Sequence, residues 1–195
     1  MLLTKKDTTR EVWESLQFVV KARAKANANK RAISGLQVEK DHLVCTDGHR
    51  LHVANIKHKI EPGLYDLPKV TKAQVALEPM PGNFPKWRDI VPATGRKFKF
   101  SQGPRYDELA EREDSLSALV YALASQGLSC KPRFLMDTGP ARCTVSYSLP
   151  HRPIRIDLDG GLTAVIMPTM RDEIIHILPT DEEIIAATPK TSEVA

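Results

Sequence analysis

Four of the six histidines, His42, His49, His52 and His58, crowd one short stretch of the chain. Inside it, CTDGHRLHV (residues 45–53) adds a thiol, an aspartate and an arginine. Alternation along a strand could place two of these histidines on one face, but no cysteine or carboxylate completes a set at zinc-ligand spacing. A nucleophile would need Cys45 or a serine beside a histidine that an acid orients. No nucleophile-elbow pattern is present, and Cys45 falls where a strand should bury it. DLDGGL (157–162) is too short for a phosphate loop, and no helix follows it. Asp107, Glu108, Glu111, Glu113 and Asp114 read as an acidic helix start, explained by solvation and the helix dipole. Nothing here demands a catalyst, a metal or a cofactor. A metal-dependent nucleic-acid enzyme built on His42, His49 and His52 stands as a remote alternative.

The elements that would carry these residues follow from pattern. Residues 7–26 are predicted helical, with Thr8 and Glu11 as a capping box and Val12, Leu16, Val19 and Val20 on one face. AISGLQVE (32–39) alternates weakly, like a strand. Residues 42–56 read as two strands around Asp47-Gly48, a strong hairpin signal because glycine takes positive φ without steric cost. GLYDLPK (63–69) suggests another short strand. Pro79, Pro81, Pro85, Pro92 and Pro104 crowd residues 78–104, which read as a connector. Within it FPKWRDIVP (84–92) is apolar enough to pack down. RKFKFS (96–101) alternates like a strand, and residues 105–126 read as a second helix. RFLMD (133–137), ARCTVSYSL (141–149), IRIDL (154–158) and TAVIM (163–167) read as strands. The order gives two similar units, each one helix and several antiparallel strands, an α+β pattern.

The 195 residues are 42% hydrophobic and 27% charged, ordinary for a globular protein. The sequence contains no apolar run of about 18 residues and no signal-peptide pattern at its start. Three scattered cysteines, Cys45, Cys130 and Cys143, suit reduced thiols and a cytoplasmic location. Net charge is +4 with a pI near 9.0, compatible with a polyanionic partner.

Three stretches in order, TDGHRL (46–51), FPKWRDIVP (84–92) and GGLTAVIMPTM (160–170), resemble the bacterial DNA sliding clamp, the beta subunit of DNA polymerase III. The resemblance touches residues 7–60 and 84–171. It implies a clamp-like α+β domain over residues 1–171, with halves at about 1–77 and 94–171 and a tail at 172–195. It implies a non-enzymatic processivity or partner-recruiting factor in DNA replication or repair. The partners implied are duplex DNA, bound without sequence preference, and peptides of DNA polymerases or repair factors, with homo-oligomers and no membrane. Carried over, the peptide pocket comprises Thr46, Gly48, His49, Arg50 and Leu51 from the hairpin, Pro92 from the connector, and Val165, Met167 and Pro168. Lys21, Arg23, Lys25, Lys30 and Arg31 are the basic residues expected to face DNA.

The chain also departs from the pattern. Clamps are longer, multi-domain chains, so a closed ring would need more copies here. MPTMRD replaces the usual terminal motif, with Thr169 inserted, and the second helix starts acidic where a channel helix should be basic. The alternative is a clamp-fold peptide-binding module that does not encircle DNA. In the tail, Ile174, Ile175, Ile177 and Leu178 could pack beside the groove and compete with partner peptides, or could simply extend the body.

Overall fold

A computed structural model describes residues 1–24, 31–93, 95–101, 112–138, 142–149 and 151–169, without the side chains of 31, 32 and 112–115. The first half runs β1 (Leu2–Thr4), α1 (Arg10–Val19), α2 (Arg31–Ser34), β2 (Leu36–Glu39), β3 (His42–Thr46) and β4 (Arg50–Asn55). β5 (Gly63–Asp66), β6 (Gln74–Ala76) and β7 (Glu78–Pro79) follow. After the connector come β8 (Arg96–Ser101), α3 (Arg112–Ser125), α4 (Pro132–Met136), β9 (Arg142–Tyr147), β10 (Ile154–Leu158) and β11 (Leu162–Ile166).

Among the described residues nine strands form one antiparallel sheet in the order β7-β5-β2-β3-β4-β11-β10-β9-β8, and β1 pairs with β6 separately. The two halves meet strand to strand. β4 lies against β11 with Leu51 opposite Val165 and His52 opposite Ala164. β2-β3-β4 on one side of this seam mirror β9-β10-β11 on the other.

Strand alternation sends two sets of side chains to opposite faces. One face joins Leu43, Cys45, Ala54, Val145, Ile156, Ala164 and Ile166 to the helices in the main core. The other carries a smaller apolar cluster of Val44, Leu51, Val53 and Val165, covered by Trp87 with Phe84 and Val91 from the connector. α1 buries Val12, Trp13, Leu16 and Val19, the helical stripe the sequence predicts.

Several elements differ from the sequence expectation. Thr9, not Thr8, caps α1, its hydroxyl accepting from the Val12 amide at 3.3 Å. α1 stops at Val19 and tightens into a 3-10 turn over Val20–Ala22. Residues 32–34, read as the start of a strand, belong instead to the helical turn α2. RFLMD, also read as strand, is helical because Pro132 opens α4 with a fixed φ suited to a first turn. The predicted start of the second helix at 105–111 lies outside the described residues, as do Met170 and the tail.

Candidate functional site: an apolar pocket at the strand seam

The hairpin tip is built by Asp47. Its Oδ1 accepts from the amides of both His49 and Arg50 at 2.9 Å, and its own amide donates to the Arg50 carbonyl at 3.2 Å. The two central turn residues are therefore Gly48 and His49, one position later than expected, with Gly48 at φ +87°. Thr46 locks the base: its hydroxyl donates to the Arg50 carbonyl at 2.7 Å and accepts from the Gly48 amide at 3.1 Å.

Arg50 ties this tip to both halves. Its Nε donates to Asp47 Oδ2 at 3.1 Å, Nη1 pairs with Asp137 Oδ2 after α4, and Nη2 donates to the Lys21 carbonyl at 2.7 Å. The guanidinium also lies 5.0 Å from the Phe134 ring centroid. The Met167 amide donates to the His49 carbonyl at 2.8 Å, which draws the end of β11 against the tip.

These contacts frame a cavity of about 230 Å³ lined by Ile33, Thr46, Gly48, His49, Arg50, Leu51, Pro85, Trp87, Ile90, Val165 and Met167. Seven of the nine predicted pocket residues therefore converge. Pro92 and Pro168 are half-buried and line no part of it. Leu51 and Val165, cross-strand partners at the seam, are almost fully buried, while Ile90 (44%) and Met167 (41%) remain exposed at its mouth. Sequence reasoning missed Pro85, Trp87 and Ile90 as lining residues, although the quoted connector contains them. An aromatic among prolines was the available signal. Ile33 was hidden by its misread strand.

Glu39 at the end of β2 fastens the connector wall. Glu39 Oε1 accepts from Trp87 Nε1 at 3.0 Å and from Arg88 Nη1 at 3.1 Å, and Arg88 stacks 4.2 Å from the Trp87 ring centroid. The Arg88 hydrogen bonds hold the Glu39 carboxyl below its ordinary range, against an opposing effect of partial burial. Two larger hollows, about 570 Å³ between β2 and the connector and 490 Å³ beside the start of α1, are lined by none of the predicted site residues.

The histidines go separate ways. His42 faces Trp87, His49 stacks 6.3 Å from Phe134, and His52 is buried against Phe18 with ring centroids 4.3 Å apart. His52 Nδ1 donates to the Phe18 carbonyl at 2.9 Å, and burial pushes its pKa down to about 4. Among the described residues no three His, Cys, Asp or Glu side chains group as metal ligands. Burial pushes the Cys45 thiol far up, so it stays protonated and is no nucleophile.

Of the five expected DNA-facing residues, the structure describes the side chains of two, Lys21 and Arg23. Lys21 is exposed, and its Nζ donates to the Asp137 carbonyl at 3.2 Å. Arg23 turns inward, its Nη1 donating to the Leu67 carbonyl at 2.6 Å. Lys25, Lys30 and the Arg31 side chain lie outside the described residues. The exposed charges on α1 itself are Arg10, Glu11 and Glu14, with Arg10 paired to Glu14.

No family model matches the sequence, and no curated protein matches it. Solved structures do. The DNA polymerase III beta subunit of Thermotoga maritima superimposes with a TM-score of 0.55 over 87% of this chain at 18% identity. The sliding clamp of Caulobacter crescentus gives 0.58 over 87% at 14%, and that of Bacillus subtilis 0.54 over 87% at 14%. The chain has the fold of the DNA sliding clamp. It covers only 65%, 65% and 64% of those three chains, slightly under two thirds of their length. Within the clamp fold, the seam pocket is where the hairpin, the connector and the last strand meet. Among the described residues no helix is long and apolar enough to cross a membrane.

Proposed function

We propose that the chain is a sliding-clamp-like recruiting factor of DNA replication or repair that docks apolar anchors of partner peptides in the seam pocket. One observation carries the reading: three stretches far apart in sequence converge on a single apolar cavity with an open mouth. At about 230 Å³ it is smaller than the ~300–1,000 Å³ typical of small-molecule sites. That size suits one or two side chains of a peptide laid across the mouth. Met167 at the mouth is unbranched and polarizable, which suits varied apolar anchors. Ile90 and Met167 extend the apolar lining of the pocket onto its exposed rim, where a docked apolar side chain would cover them.

The test is a titration of a labelled peptide carrying a Leu-Phe anchor against the whole protein. Wild type should bind, and Met167→Asp, which alters an exposed residue, should weaken binding at least tenfold with an unchanged melting temperature. Equal binding by both proteins, or none by either, contradicts the reading.

Duplex encirclement is the second reading, supported by the clamp fold and the net charge of +4. Its phosphate contacts would fall to Lys21 and the 25–31 segment. Binding through them should be sequence-independent and fall steeply with salt, and reversing two of these charges should flatten that dependence. No detectable binding at low ionic strength leaves the peptide-docking module alone.

A further inference from the structure

The sheet face that holds the pocket continues beyond it, across the second half, as a charged surface. The strand register makes the side chains sharing a row explicit. Thr46, Leu51, Val165, Arg155, Ser146 and Lys97 are successive cross-strand partners from β3 to β8. One end of this row is the apolar floor of the pocket, and the other is basic. The next row adds Lys99, opposite Thr144, and the end of β8 places Arg142 opposite Ser101. Lys97, Lys99 and Arg142 are exposed and Arg155 is half-buried, while Ser146, between Arg155 and Lys97 in the row, is buried, so the charged side chains and not the serine form the surface there. The acid of the neighbouring row, Asp157, is engaged: its Oδ1 accepts from Arg155 Nε and from the Thr163 hydroxyl, both at 2.8 Å. The pair orients the Arg155 guanidinium and offsets its charge, so the net positive charge of this face comes from Lys97, Lys99 and Arg142. The alternate residues Phe98, Phe100, Val145 and Ile156 turn to the opposite face and join the helix-side core.

We infer that the peptide recognised here carries an acidic flank, which runs from the pocket along the row Val165–Arg155–Ser146–Lys97. This rests on the peptide-docking reading above and names the chemistry of the partner. Strands lie about 4.8 Å apart, so Arg155 stands about 5 Å and Lys97 about 14 Å from the pocket floor. An extended peptide advances about 3.4 Å per residue, so its carboxylates belong roughly two and four positions from the apolar anchor. A basic row that ends in an apolar cavity matches such a peptide better than a nucleic acid, which offers no apolar anchor. Complementary charge of this kind fixes which way the peptide lies and speeds association.

The experiment uses the whole protein and synthetic peptides with a Leu-Phe anchor and two aspartates at those positions, before or after the anchor. Each is compared with its asparagine counterpart by fluorescence anisotropy. One aspartate peptide should bind about five- to tenfold tighter than its counterpart, the order expected of two exposed ion pairs. The advantage should shrink with salt and vanish in a Lys97→Glu/Arg155→Gln variant, whose affinity for the asparagine peptide stays at the wild-type value. Equal affinities for aspartate and asparagine peptides overturn the acidic flank and leave the pocket standing. No binding by any peptide overturns both. Binding of a duplex oligonucleotide that Lys97→Glu/Lys99→Glu abolishes, without any preference for aspartate peptides, overturns the inference in favour of a nucleic-acid face.

Discussion

Gly48 and His52 show how differently neighbouring residues of one hairpin are used. Gly48 sits at φ +87°, and a Cβ there would meet only Ile33 Cδ1 at 3.9 Å. The constraint is thus conformational, not one of space. Gly48→Val should cost about 1–3 kcal/mol, because a β-branched residue is strained at positive φ. Chemical denaturation checks this, and an unchanged midpoint contradicts the turn. His52 looks like a ligand in sequence and is a core residue in the fold. Its depressed pKa sets a sign. Well above pH 6.5 the ring is neutral whether folded or unfolded, and pH has no effect through it. Between 6.5 and about 4 the unfolded chain takes up a proton that the native state refuses. Stability should therefore fall by about 3 kcal/mol as pH drops through that window. His52→Phe should flatten this dependence, measured as unfolding free energy from pH 7.5 to 4.5. The turn glycine was legible because Asp-Gly is a local signal. The burial of His52 was not, because it depends on Phe18, a residue on another element.

Among the elements, the hairpin, β8, β9, β10 and β11 were legible from alternation, and α1 from its apolar stripe. α4 was not, because in RFLMD a short apolar run fits a strand or a helical turn equally, and Pro132 before it settles the matter. The connector shows a third case. Its apolar residues foretold that it packs down, but the contact that fixes it, Glu39 with Trp87 and Arg88, joins residues 48 and 49 positions apart. Glu39→Ala removes the acceptor of both and should loosen the pocket wall. Glu39→Gln, which keeps an acceptor for Trp87 Nε1, should retain most of the wild-type behaviour. Acrylamide quenching of Trp87 fluorescence in a Trp13→Phe background reads this directly. More quenching in Glu39→Ala than in Glu39→Gln is the expected order, and equal quenching contradicts the role of Glu39. The stability loss should stay near 1 kcal/mol, since Arg88 is more than half exposed.

At the scale of the molecule, the two halves are joined by the β4–β11 seam, and Arg50 fastens that seam at the pocket end through Asp47, Asp137 and the Lys21 carbonyl. Arg50→Ala strands two partly buried carboxylates and a carbonyl, and should cost about 2–4 kcal/mol in thermal or denaturant unfolding. A loss below 0.5 kcal/mol contradicts this role. The central claim is that the pocket at this seam is the docking site, and amide chemical-shift mapping of the isotopically labelled protein tests it most directly. On titration with a Leu-Phe anchored peptide, the shifts should concentrate at residues 46–51, 85–90 and 165–167. Shifts confined to the exposed face of α1 and α3, or no shifts at a peptide excess that saturates wild-type binding, contradict it.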